Sequence, residues 1–314
     1  MTGALLRRAL FGVACGAAAC HGRAPLPPRA SALNDAGVEA LEAGDLEAAN
    51  ARFSLALEHA PHFVEALTNQ GLVELERGNT ARARQLFERA RRLNPDVAQP
   101  HHALGVLAEQ EQRRDEAAAR YREALAVDPG FAPARANLAR LLFEGGRLEE
   151  AREQYLRLVE VAPEEPVGYS GLATCLLALG RGLEAEVITL EGQRRFPDDP
   201  GLAVVAARSA LRAGDLEHAR QLLAPVATRR DEQGVAALGW LAVVELTAGR
   251  PRHAAGASRA ALALSPDDPL ATFALATALE RLGDPRAADW AERARALRDG
   301  TSSRHTGHAR AAVE

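Results

Sequence analysis

The chain has 314 residues, 47% of them hydrophobic and 25% charged, with a formal net charge of −4, which is ample apolar material for a buried core. All 38 basic residues are arginine against 42 acidic ones, and no arginine stripe with interleaved aromatics occurs, so the balance argues against a nucleic-acid binder. G-x-S-x-G, phosphate-loop and dinucleotide fingerprints are absent from the sequence, leaving no motif for an enzyme and none for a cofactor.

The first element in chain order is a signal. Arg7 and Arg8 precede a small or apolar stretch over residues 9–19, and Cys20 opens a polar, proline-rich linker over residues 20–30. This order predicts an export signal over residues 1–19, too short for the roughly 20 apolar residues that cross a bilayer. The run Ala17-Ala18-Ala19-Cys20 resembles the lipobox of bacterial lipoproteins. That resemblance implies a lipid anchor on Cys20, and His21 in place of aspartate implies an outer-membrane lipoprotein facing the periplasm. Ordinary cleavage near Ala19, releasing a soluble periplasmic protein, is the alternative. Cys15 would leave with the signal, so Cys175 has no disulfide partner.

A ladder of prolines follows, Pro61, Pro95, Pro129, Pro163 and Pro197, each 34 residues after the last. Five residues before the proline stands a small side chain (Ala56, Ala90, Ala124), with Leu158 and Gly192 in the fourth and fifth rungs. Three places earlier comes an aromatic in four rungs (Phe53, Phe87, Tyr121, Tyr155), and four before that an alanine in all five (Ala49, Ala83, Ala117, Ala151, Ala185). Spacings of three and four place these on one helical face. Five residues before the alanine lies a glycine (Gly44, Gly78, Gly146, Gly180), with Gln112 as the exception. Glycine suits the left-handed backbone that ends a helix, and proline closes the unit because it cannot continue one. The unit is therefore two antiparallel helices joined by a tight turn.

This pattern resembles the tetratricopeptide repeat family, whose units are helix pairs of about 34 residues. The resemblance implies an all-α, right-handed αα-solenoid of about eight repeats over residues 31–298, with units near 30–63, 64–97, 98–131, 132–165, 166–199, 200–234, 235–268 and 269–298. The sixth unit is irregular, with Pro225 inside its second helix, which is expected to end near Ala224. Residues 299–314 are expected to form a disordered tail.

Helical spacing from each unit's start gives the residues expected to face a concave groove. The first four units offer Glu42, Glu65, Glu76, Glu109 and Glu144. In the later units the partner-binding candidates are Arg140, Thr174, Leu177, Arg208, Leu211, Arg212, Val243, Leu246 and Phe273, with Val167 and Val204 beside them. Arg208 and Arg212 are the donors for a partner carboxylate. Paired carboxylates Glu164-Glu165 and Asp198-Asp199 fall at helix starts and read as caps. Of the consecutive His101 and His102, at most one can face the groove, and no cysteine or carboxylate constellation joins them to make a zinc site. The last helix pair lacks a polar capping helix and suggests docking through the C-terminal end.

By resemblance the array is a non-catalytic scaffold or adaptor that holds a partner peptide or protein in the groove, anchored at the bacterial cell envelope by lipid on Cys20. The alternative is a regulatory or substrate-recruiting subunit of an enzyme encoded elsewhere. No metal, cofactor or nucleic acid is expected.

Overall fold

Sixteen helices run through residues 26–302, the residues that the computed structural model describes. The expected signal, the lipidation of Cys20 and residues 303–314 of the expected tail lie outside them. The helices come in eight pairs: α1 (Pro28–Glu42) with α2 (Leu46–His59), α3 (Val64–Glu76) with α4 (Thr80–Leu93), α5 (Ala98–Gln110) with α6 (Arg114–Val127), and α7 (Ala132–Glu144) with α8 (Leu148–Val161). Then follow α9 (Pro166–Ala178) with α10 (Gly182–Arg195), α11 (Pro200–Ala213) with α12 (Leu216–Val226), α13 (Glu232–Thr247) with α14 (Pro251–Leu264), and α15 (Pro269–Arg281) with α16 (Ala287–Ser302). The fold is an all-α solenoid. Helices α3, α5, α7, α9 and α11 begin at residues 64, 98, 132, 166 and 200, so the period of the prolines is the period of the structure.

The turn within each pair needs a left-handed residue. Gly44 and Gly78 supply it at φ 79°, and in the third pair Gln112 adopts φ 61°. A side chain in that region costs about 1 kcal/mol because Cβ crowds the following carbonyl. Gln112→Gly should therefore stabilise the chain by about 0.5–1 kcal/mol, measured as a higher urea midpoint at unchanged slope. No gain would mean that the turn is relaxed as it stands.

Asp45, Asp199, Asp215, Asp231 and Asp268 cap α2, α11, α12, α13 and α15, each accepting a backbone N–H three residues on. Glu165 occupies the corresponding place before α9 without a side-chain bond. Its longer side chain suits this cap less well than aspartate does. Pro225 also departs from expectation, since α12 continues past it to Val226. In the last turn a proline removes a single donor, and the Ala227 N–H still reaches the Leu223 carbonyl at 2.8 Å. Likewise α16 passes residue 298, where the repeats were expected to end, and runs to Ser302.

Two compact units divide the chain within α7, between Leu138 and Ala139. In the first, the aromatic of each second helix lies flat against a glycine of the first: Phe53 on Gly37, Phe87 on Gly71 and Tyr121 on Gly105. All three rings are fully buried. The contact is so close that a Cβ on Gly71 would stand 2.4 Å from Phe87 Cε1. In the second unit the alignment of ring and glycine shifts, because Ala139 stands where the others have glycine. Tyr155 instead covers Gly171 of the next pair. Further along, one core forms between α11, α12 and α13 around Leu223 and Val244, and another between α13, α14, α15 and α16 around Leu275 and Leu279.

A groove in the second unit

First helices of successive pairs touch in the second unit: α9 meets α11, α11 meets α13, and α13 meets α15. Their shared face carries a groove of about 250 Å³, lined by Val167, Ser170 and Thr174 of α9, Val204 and Val205 of α11, and the Tyr155 ring. Gly171 and Gly201 leave the recess because neither has a side chain to fill it. Its volume is below the roughly 300–1,000 Å³ of small-molecule sites. It suits one apolar side chain of an extended partner. The polar groups at its rim are modest, since the Thr174 hydroxyl already donates to the Ser170 carbonyl at 2.7 Å.

One turn along α11 from Val204 stands Arg208, its guanidinium 4.8 Å from the centre of the Trp240 ring on α13. Trp240 itself packs against the cluster that contains Val204. Although part of the Arg208 side chain is exposed, burial of its charge holds its pKa below the ordinary arginine value. No carboxylate among the described residues pairs with it. Such a cation, stacked on indole and short of hydrogen bonds, is prepared to gain from an incoming anion.

The remaining candidates sort by what their neighbours cover. Thr174 lines the groove. Arg140 is half-buried and paired with Glu144 at 2.8 Å. Leu177 and Leu246 are 6% and 7% exposed, so they brace adjacent helices and offer no surface to a partner. Leu211 packs on the α11–α13 core, Val243 is half-buried, and Phe273 on α15 is exposed. Arg212 is not the free donor expected of it. Its guanidinium donates to the Leu177 carbonyl at the end of α9, at 3.2 Å, and Arg281 does the same for Leu246 one helix pair further on. Of the acidic residues expected in the first four units, Glu109 accepts from the Tyr121 hydroxyl at 2.9 Å.

Sequence reasoning missed Phe143, Val205 and Gln233, which also border the groove, and Trp240. No repeat position marks them. Arg208 recurs at the place of Arg140 and Thr174, each 34 residues apart, and that alignment was the one available signal.

Neither histidine of the pair faces a groove. His101 is bonded to Glu123 at 3.1 Å and to the Pro95 carbonyl at 2.9 Å, while His102 is 3% exposed in the core. Among the described residues no group of three histidine, cysteine or carboxylate side chains is placed to hold a metal. Cys175 is buried on α9, and burial pushes its thiol up to about 12, which keeps it unreactive near neutral pH.

The tetratricopeptide repeat family matches residues 34–98, 108–170, 204–269 and 241–301. Among solved structures, a tetratricopeptide repeat protein from Parabacteroides merdae aligns with a TM-score of 0.58 at 17% identity, over 81% of this chain and 100% of that one. Pseudomonas aeruginosa pilF gives 0.56 at 24% identity, over 67% of this chain and 95% of its own. A chain of the APC/C hetero-tetramer Cut9-Hcn1 gives 0.65 at 18%, over 84% of this chain but 52% of that one. No curated protein matches the sequence. At these identities the likeness shows the fold alone.

Proposed function

The chain belongs to the tetratricopeptide repeat family, and from that premise we propose that it is a non-catalytic adaptor of the bacterial cell envelope, holding an extended segment of a protein partner in the groove of its second unit. Repeats of this family are generally protein-interaction modules. The observation that carries the reading is Arg208, a stacked cation without a carboxylate partner among the described residues, one helical turn from an apolar recess. The segment that fits places an apolar side chain between Val167 and Val204 and a carboxylate, from an acidic side chain or a chain terminus, against Arg208. Envelope anchoring rests on Arg7, Arg8, the apolar run and the Ala-Ala-Ala-Cys sequence ending at Cys20. Pilus assembly, suggested by the name of the pilF neighbour, is one envelope setting in which such an adaptor would act.

A photo-crosslinking residue at Val205, introduced in the native host, should give a discrete adduct with one partner. Arg208→Ala should lower its yield about 10-fold or more while leaving helicity and unfolding unchanged. An adduct indifferent to Arg208 would remove the carboxylate from the proposal, and no adduct from the groove would remove the groove. The same cells supply the second readout, the intact mass of the membrane fraction. A species starting at Cys20 and carrying acyl chains is expected; an unmodified chain starting at Met1 would end the envelope reading.

A further inference from the structure

The most exposed apolar side chains of the described residues share one helix. On α10, Leu183, Val187 and Leu190 are 82%, 65% and 57% exposed. Spacings of four and three set them in a stripe along one face, while Ala185, Thr189 and Gly192 of the same helix turn into the core. The stripe is not a property of the repeat. At the equivalent positions the preceding pair has Glu149, Glu153 and Leu156, and the following pair has Glu217, Gln221 and Ala224. Three large apolar side chains on a solvent face, where neighbouring repeats carry charge, mark a surface that is covered in use.

The charges around the stripe say what covers it. Glu184 and Glu186 flank its N-terminal half, and Arg194 and Arg195 close its C-terminal end. The four are bound only locally, Glu184 to Arg181 and both arginines to Glu191 within the helix, or are exposed as Glu186 is. A second α10 laid antiparallel on the first brings each acidic end to the other's arginines and each stripe onto its copy. A parallel pair would set like charge against like. The opposed helix dipoles favour the same arrangement.

We propose that α10 is the self-association surface of this chain, forming a two-fold antiparallel helix pair with a second copy through Leu183, Val187 and Leu190. Such an interface is isologous, so every contact occurs twice and the assembly closes at a dimer. One helix pair alone is smaller than the roughly 1,200–2,000 Å² of standard stable interfaces. The dimer is therefore concentration-dependent, populated where the chain is crowded. The docking expected at the C-terminal end thus moves to the fifth helix pair.

Sedimentation equilibrium of the full chain, from low to high micromolar, tests this. The apparent mass should rise toward twice the monomer, and Val187→Glu should weaken the association about tenfold or more without changing helicity. Charge reversal separates this arrangement from nonspecific stickiness. Glu184→Arg with Glu186→Arg should weaken the dimer, and adding Arg194→Glu with Arg195→Glu should restore it. A chain that stays monomeric throughout, or a dimer indifferent to Val187→Glu, overturns the proposal. So does a double reversal that fails to rescue, because the antiparallel pairing is then wrong. Val187-dependent binding of a monomer to phosphatidylethanolamine and phosphatidylglycerol vesicles would likewise overturn it and assign the stripe to lipid.

Discussion

Replacing Phe87 by alanine is expected to cost about 3–5 kcal/mol, the usual price of removing a fully buried ring and leaving its space. Phe87 has no accessible surface, and it fills the gap that Gly71 leaves between α3 and α4. The contact can be tested from its other side. Gly71→Ala drives a methyl into the ring and should cost about 1–3 kcal/mol. The same change on a Phe87→Leu background should cost less, because the smaller side chain can yield. Urea unfolding of the four chains gives the coupling between the sites. Additive costs would mean that the ring and the glycine do not bear on each other. Repeat arrays unfold piecewise, so hydrogen exchange in α3 and α4 is the sharper readout if the transition broadens.

Acid should weaken the first unit through a single imidazole. His102 lies between the Tyr121 and Phe131 rings, 5.6 and 5.5 Å away by centroid, and the Asn137 amide donates to its Nε2 at 2.9 Å. Tyr121 is tied in turn to Glu109, and the adjacent His101 to Glu123. Burial without a facing carboxylate lowers the His102 pKa from 6.5 to about 3. The ring is therefore neutral in the native chain, whereas an unfolded chain binds its proton below about pH 6.5. The stability that His102 contributes is fully present above pH 6.5 and lost as pH falls toward 3. At pH 5 the loss should reach about 2 kcal/mol. His102→Gln keeps a hydrogen-bonding partner for Asn137 and should flatten the slope between pH 6.5 and 4, whatever it does to stability at neutral pH. An unchanged slope would place the acid sensitivity elsewhere.

The fold was legible because its signals are local. Proline and glycine mark turns through their own backbone restrictions, and Ala83, Phe87 and Ala90 fall on one face by spacing alone. Even Gln112 announced its strained position by breaking the glycine series. The groove was legible only in part, because spacing states which way a side chain points and not what the next repeat lays over it. Leu177 and Leu246 point inward as expected and are covered there. Arg212 has the length to reach a helix end in the preceding pair, a distance set by stacking and absent from any one repeat. Trp240 follows no repeat position, and its pairing with Arg208 depends on the separation of α11 from α13. The α10 stripe has the spacing of a core face, and the stacked helices alone reveal that nothing of this chain lies on it.

The carbonyls of Leu177 and Leu246 receive their donors from Arg212 and Arg281, 35 residues later in each case. A ribosome delivers these groups in order, so α9 stands complete while the end of its hydrogen-bond ladder still waits for a residue not yet synthesised. Each such helix is finished by its successor. Growth of the array therefore has a direction, with its last made pair supplying a clasp to the one before it, and a chain cut between residues 178 and 212 would leave α9 open at the end where translation stopped.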